Sequence, residues 1–253
     1  MISQSIWWAT LALEVLLLAR AVQGKWVARY PVFFGYIFYV LTQSLLRHFV
    51  YALNHKLYSH VYWITEFLAV LVGSAVVFEI YSVGLAAFPG TARMARNLLA
   101  LVFVLACTKA IVDAWNDPQW WPTATAMDIE RYLRIFQVVS IGALVALFLV
   151  YSVPFGRNLK GILAGYSLFV SLAVVWLTIG PNAGTTLRDI WFNIQPASYF
   201  CALCVWTVSL WSYQPQPALP AVVKLEDDYQ KIAAATRRRL REARGYLGKA
   251  TPL

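Results

Sequence analysis

Glu66 and Glu79 stand in TEFLAVLVGSAVVFEIYSVG, residues 65–84, a run that is otherwise nearly all apolar. A carboxylate in lipid is costly, and it ordinarily faces neighbouring helices, water or a partner. On a helix the two lie roughly 20 Å apart, too far for one paired-carboxylate acid–base site. Each must answer to partners of its own. Near Glu66 the sequence offers Lys109 and Asp113, which share a helical face at i,i+4 spacing, with Arg131 and Arg134 at a similar depth. Near Glu79 it offers Arg93 and Arg96. Glu14 has no evident partner, and protonation or an aqueous cavity would accommodate it. Glu14, Glu66, Glu79, Lys109, Asp113 and Arg134 form the candidate intramembrane charge network. It supports packing contacts, a ligand site at the outer end, or a proton or ion path. A path needs charges joined through the whole membrane, whereas these fall in two layers with Ser, Thr and Tyr between them.

The histidines also cluster. His48, His55 and His60 gather near one end of two apolar runs, and with Glu66 they make a candidate hydrated metal site. Their separations match no strong motif. His48 and His55 share a face only if the helix continues past Tyr51. Interfacial histidines without metal are the plainer reading. Haem ligation lacks a facing histidine pair on other helices. No cofactor is expected, though a bound lipid would fit. Cys107, Cys201 and Cys204 lie in apolar stretches, where YFCALCVWTVS lacks the context of a redox motif, so buried packing is expected.

The elements that must hold these groups are apolar blocks. Hydrophobic residues make up 60% of the 253-residue chain and charged residues only 13%, about half the charged share of a soluble domain. Blocks at 4–22, 31–50, 62–84, 97–115, 132–152, 161–180 and 197–213 can each span a bilayer. IGALVALFLVYSV and GILAGYSLFVSLAVVWLTIG show no polar face, which argues against a large soluble bundle. The fold class expected is an all-α integral membrane protein with a seven-transmembrane helix bundle, residues 1–213. A Pro-rich linker (214–223) and a basic amphipathic cytoplasmic tail (224–253) follow. The first block is read as a helix and not a cleaved signal: its basic residues follow it, and Glu14 interrupts it.

Charge placement predicts orientation. Arg20, Lys25, Arg29, Arg93, Arg96, Arg157, Lys160 and the tail's Lys224, Lys231, Arg237, Arg238, Arg239, Arg241, Arg244 and Lys249 hold 15 of the 21 lysines and arginines. Seven spans put all of them on one side, which the positive-inside rule makes the cytoplasm, so the N-terminus is out and the C-terminus in. Trp115, Trp120, Trp121 and Trp191 suit anchoring at the outer interface. Nucleic acid is a poor explanation of the +9 net charge, because no recognition helix or zinc-finger spacing occurs outside the tail. Topology and anionic lipid account for it better.

Common mechanisms are missing. The last apolar block, ASYFCALCVWTVSLWSY, has no lysine for a retinal Schiff base, and no receptor signature appears. Neither GxxxxGK[ST] nor HExxH occurs. Gly142, Gly161 and Gly165 suit close helix packing, and the GxxxG at 161–165 is a weak dimer signal. Over residues 4–213, including WITEFLAVLVGSAVVFEIYSVG, helix count and orientation resemble the seven-helix membrane input modules of bacterial signalling proteins. The resemblance implies a sensor in a bacterial cytoplasmic (inner) membrane, bacterial origin being assumed. Such modules commonly connect to a kinase, cyclase or phosphodiesterase, and no such domain follows helix seven.

In the tail, Leu225, Tyr229, Ile232, Thr236, Leu240, Ala243 and Leu247 form an apolar stripe beside Arg237, Arg238, Arg239 and Arg241. Tyr229, Ile232 and Leu240 are the candidate docking contacts, with the arginines favouring anionic lipid. The stripe suits the membrane surface, the protein's own inner face, or a cytoplasmic partner. The partners expected are the bilayer, a second copy or another membrane protein, and a protein at the tail. The reading favoured is a noncatalytic sensor, scaffold or accessory subunit of a membrane complex. The alternatives are a transporter or channel using the intramembrane carboxylates, and an intramembrane lipid-modifying enzyme.

Overall fold

Long apolar runs without alternation satisfy their backbone groups most simply within helices. The computed structural model describes residues 2–116, 122–154, 156–180, 184–212, 214 and 225–250. Among the described residues there are eight α-helices and no strand. They are α1 (Ile2–Gln23), α2 (Pro31–Leu53), α3 (His55–Gly84), α4 (Pro89–Asn116), α5 (Pro122–Val150), α6 (Arg157–Ile179), α7 (Thr185–Ser209) and α8 (Leu225–Ala250), with a single 3-10 turn at Trp26–Ala28. By length and composition α1, α3, α4, α5 and α6 could each cross a membrane. Helices α2 and α7 are not in that set. Gln43, Arg47 and His48 interrupt the apolar run of α2, and α7 begins with the polar TTLRDIWFNIQP.

The helices outrun their apolar blocks. Residues 51–61, expected as a connection, are helical except for Asn54. Asn54 is extended (φ −153°, ψ 94°) and its side chain accepts the Lys56 amide, so one residue ends α2 and caps α3. Likewise α5 starts at Pro122 and α7 at Thr185, inside stretches expected as loops. A helix needs apolar side chains only where it meets lipid or core, and its polar turns can continue beyond. Within α7, Pro196 removes one backbone donor.

Contacts between helices close a ring. Helix α1 packs on α2, α2 on α3, α3 on α5, α5 on α6, α6 on α7, and α7 returns to α1. Helix α4 lies outside this ring, against α3 and α5, and α8 rests on α4. At the end of the ring nearest the 3-10 turn the filling is dense and apolar. Phe33, Ile37, Val76, Val77, Ile80, Leu144, Phe148, Leu159, Ile162, Leu203 and Trp206 are all at most 2% exposed there. Trp206 donates its indole N–H to the Ile162 carbonyl (3.2 Å). Gly161 and Gly165 face Ser209 and Trp206 of α7, so the GxxxG serves packing inside the chain and not a dimer face. Gly142 is exposed with open space beside it, so close packing is not its role.

Other expectations are corrected. Glu79 does not meet Arg93 or Arg96. Its two oxygens accept the backbone amides of Val32 and Phe33, both at 2.8 Å, and so cap the start of α2. An anion at a helix N-terminus satisfies orphan donors and the dipole together. Trp191 is not an interfacial anchor: it is buried and stacked on Trp176, with centroids 5.0 Å apart. Trp115 is 87% exposed. Trp120, Trp121 and residues 215–223 of the linker lie outside the described residues. Cys107, Cys201 and Cys204 are free, and Cys201 is exposed, against the expectation of burial. The tail helix docks on the chain itself by its first turns. Leu225 is buried, and Glu226 accepts from the Gly90 amide (3.0 Å) and from the Thr91 amide and hydroxyl (both 3.2 Å). Tyr229 lies against Gly90, whereas Ile232 and Leu240 are exposed, which leaves the membrane surface or a cytoplasmic partner open to them.

Candidate functional site

Six ring helices each turn polar groups inward over the half of the bundle beyond the apolar packing. On α2, Tyr36, Val40, Gln43 and Arg47 recur at steps of four, three and four, which puts them on one face. On α5, Glu130, Arg134 and Gln137 do the same, and on α3 Glu66, Val70 and Ser74. Tyr166 and Phe169 of α6, Tyr199 of α7, and Trp7 and Thr10 of α1 complete the wall. Together these helices line a half-open cavity of about 330 Å³. Helix α4 contributes nothing to its lining. A wider compartment of about 740 Å³ adjoins it, lined by Gln4, Trp8, His48, Tyr51, Tyr58 and Tyr62. Trp7, Ser44, Arg47 and Pro196 line both spaces and form the neck between them.

A chain of ion pairs crosses the cavity wall. Arg134 donates through Nη2 to Glu66 Oε1 (2.8 Å) and through Nε to Glu130 Oε1 (2.6 Å). Arg47 donates through Nη2 to Glu66 Oε2 (3.0 Å) and to the Tyr62 carbonyl (3.0 Å), and through Nε to Thr65 Oγ1 (2.8 Å). The Arg47 guanidinium lies over the Tyr62 ring at 4.3 Å. The side chains are 6% (Arg134), 13% (Glu130), 14% (Glu66) and 16% (Arg47) exposed. Two cations and two anions balance, which is what burial at this depth demands.

Uncharged groups extend the polar lining. Gln137 donates to the Val70 carbonyl and Ser74 Oγ, both at 3.0 Å. The bond to a carbonyl fixes which end of the amide is nitrogen, and it leaves Gln137 Oε1 sealed and unpartnered. Gln43 Oε1 is also sealed without a partner. Tyr199 donates to Glu14 Oε1 (2.9 Å), while Glu14 Oε2 is unpartnered and the residue is fully buried. Native interiors rarely leave such atoms unpaired, and ordered water or a ligand is the usual remedy.

The structure redistributes the charge network expected from sequence. It brings Glu66 and Arg134 together. Lys109 and Asp113 do form an i,i+4 pair, with Asp113 also accepting from Tyr132 (2.6 Å), but on α4, away from the cavity. Glu66 does not join them. Arg131 pairs with Asp128 (2.8 Å) and not with Glu66. Glu79 belongs to the helix cap described above. The metal candidates His48, His55, His60 and Glu66 do not converge: no group of three or more possible metal ligands occurs among the described residues. His48 stacks on Trp7 at 4.9 Å, His55 bonds the Tyr51 carbonyl (3.0 Å), His60 is exposed, and Glu66 is engaged by two arginines.

Sequence reasoning missed Arg47, Glu130, Gln43, Gln137, Tyr36, Tyr166 and Tyr199. The inward face of α2 was the available signal, since a polar series at helical spacing inside an apolar run marks the side turned from lipid. No protein-family model matches the chain, and comparisons with curated proteins and with solved structures found no match. The functional reading therefore rests on the cavity's own chemistry.

Proposed function

We propose that this protein is a noncatalytic, seven-span membrane receptor for a small polar organic molecule, acting as a sensor or as an accessory subunit. The observation that carries this reading is the cavity of about 330 Å³ whose wall combines Arg47, Arg134, Tyr36 and Tyr166 with apolar side chains. Pockets of this size with a few fixed polar groups among apolar and aromatic walls suit small-ligand binding. Phenols, amides and mutually paired charges line it, a chemistry suited to holding a molecule. In this reading α2 and α7 also cross the membrane. Their polar residues face the ring interior, so a low average apolarity is compatible with lipid outside. The N-terminus is out and the C-terminus in, with the basic loops and tail at the cytoplasm.

Transport along the carboxylates is less well supported. Between Glu66 and the Glu79 cap, Val76 and Val77 are fully buried, with Ile37 and Leu144 around them. That packing favours a pocket closed at its deep end.

The test is native mass spectrometry of the protein in lipid nanodiscs, with Ser44→Trp at the neck as comparison. The Ser44 side chain makes no hydrogen bond among the described residues, so the substitution removes none. The expected result is a small molecule retained one-to-one by the parent protein and lost from Ser44→Trp at unchanged thermal stability. Identical, ligand-free spectra across a range of source extracts would remove the receptor reading.

A further inference from the structure

The donors and acceptors lining the cavity are unequal in a way that names a ligand. Both oxygens of Glu66 are occupied by arginines. Arg47 uses Nε and Nη2 and Arg134 uses Nε and Nη2, so Nη1 of each has no partner among the described residues. Both residues line the cavity. The side chains of Tyr36 and Tyr166 line it too, packed edge to face at 5.9 Å, and neither hydroxyl makes a hydrogen bond among the described residues. The groups left to serve a ligand thus include two guanidinium Nη1 groups and two phenols, with the side chains of Ser44 and Gln195 beside them. Gln43 Oε1 and Gln137 Oε1 lack partners but are sealed from the open space. The rest of the wall includes Val40, Val70 and Phe169.

Resting on the receptor reading, we infer that the cavity binds a small organic carboxylate, its head on Arg47 and Arg134 and its short apolar body against Val40, Val70 and Phe169. Guanidinium geometry matches a carboxylate's two oxygens, and charge-assisted bonds are the strong ones. The ion-pair chain is neutral overall, so recognition comes from directed N–H and O–H donors and not from excess positive charge. At the position of the head group a protonated amine would face the two guanidinium Nη1 groups, which cannot accept a hydrogen bond. An alcohol would satisfy one donor and leave the others unpaired. The acid could arrive from water or be released from lipid, and chain length separates the two sources.

The experiment measures ligand-induced thermal stabilisation in nanodiscs, using hexanoate, hexan-1-ol, hexylamine and palmitate as probes. Hexanoate is expected to stabilise saturably, with hexan-1-ol and hexylamine inactive. Ser44→Trp should abolish the effect, which separates cavity binding from partition into the bilayer. Tyr36→Phe should weaken hexanoate roughly ten-fold or more, as loss of a hydrogen bond to a charged group does. Its ligand-free midpoint should be unchanged, because the hydroxyl makes no hydrogen bond among the described residues. A palmitate response exceeding that of hexanoate and lost in Ser44→Trp assigns the acid to lipid; the reverse assigns it to water. Equal stabilisation by alcohol or amine, or an unaltered hexanoate affinity in Tyr36→Phe, overturns the carboxylate inference. A neck-sensitive ligand of another class would do so while leaving the receptor reading standing. The absence of any neck-sensitive ligand would remove both.

Discussion

Glu66 is the residue on which two cations depend. Without its charge, Arg47 and Arg134 would share a buried site with Glu130 alone. Breaking a buried pair is far more costly than forming it is rewarding. Glu66→Gln should therefore destabilise the protein by about 3 kcal/mol in thermal unfolding. Lys109→Met should leave the midpoint almost unchanged, because Lys109 is exposed and its pair lies outside the ring. If the two variants unfold alike, the buried chain is not the stabilising element argued above. The contrast also marks what the sequence could tell. That Glu66 needs a cation, and that Arg134 lies at its depth, follows from the cost of charge in lipid. Arg47 reads as one more basic residue near an interface, because the aromatic side chains around it hide its depth. Glu79 was unreadable for another reason: its partners are backbone amides, which every residue but proline has. Gln43, Gln137 and the tyrosines carry no charge, so nothing in a charge-based reading draws attention to them.

At the scale of elements, the apolar runs disclosed the helices but not their ends. Asn54 shows why. The apolar block stops near residue 50, but the helix persists to Leu53 and the next begins at His55. Hydropathy reports where lipid or core is, whereas capping decides where a helix stops. Helix α8 is the amphipathic element that composition predicted. Its anchoring by Glu226 at the start of α4 was not visible, because it depends on which helix end lies nearby. Glu226→Ala should cost about 1 kcal/mol, as loss of a helix cap does. It should also speed hydrogen exchange at the Gly90 and Thr91 amides, which it now shields. Unchanged exchange at both amides would mean that α8 does not rest there in solution. Ile232 and Leu240 remain exposed in the docked arrangement, beside Arg239 and Arg241. That face is available to an anionic membrane surface without any change in the first turns.

For the whole molecule, the division of labour between helices is the main result. Six helices build the ring and line the cavity, and α4 covers part of the outside while carrying α8. Its apolar stretch is the least buried among the five long apolar helices, at 11%. This arrangement was not legible because helices with similar composition can lie in a ring or beside it, and only packing decides. The proposed seven-span topology has a direct test. In sealed right-side-out vesicles, an impermeant maleimide should label Gln4→Cys and Asn54→Cys but not Ser152→Cys or Lys231→Cys. Labelling of Ser152→Cys together with Asn54→Cys would put both turns in one compartment and defeat the proposed orientation.

The contact between α1 and α7 has a consequence for biogenesis. These partners are separated by most of the chain, so the nascent polypeptide must wait for its seventh helix before the wall is complete. Until then, the Arg47–Glu66–Arg134–Glu130 chain borders an open groove where the missing stave will stand. The insertion machinery would have to shelter that groove, and ribosomes stalled before α7 should leave an intermediate prone to capture by quality-control proteases.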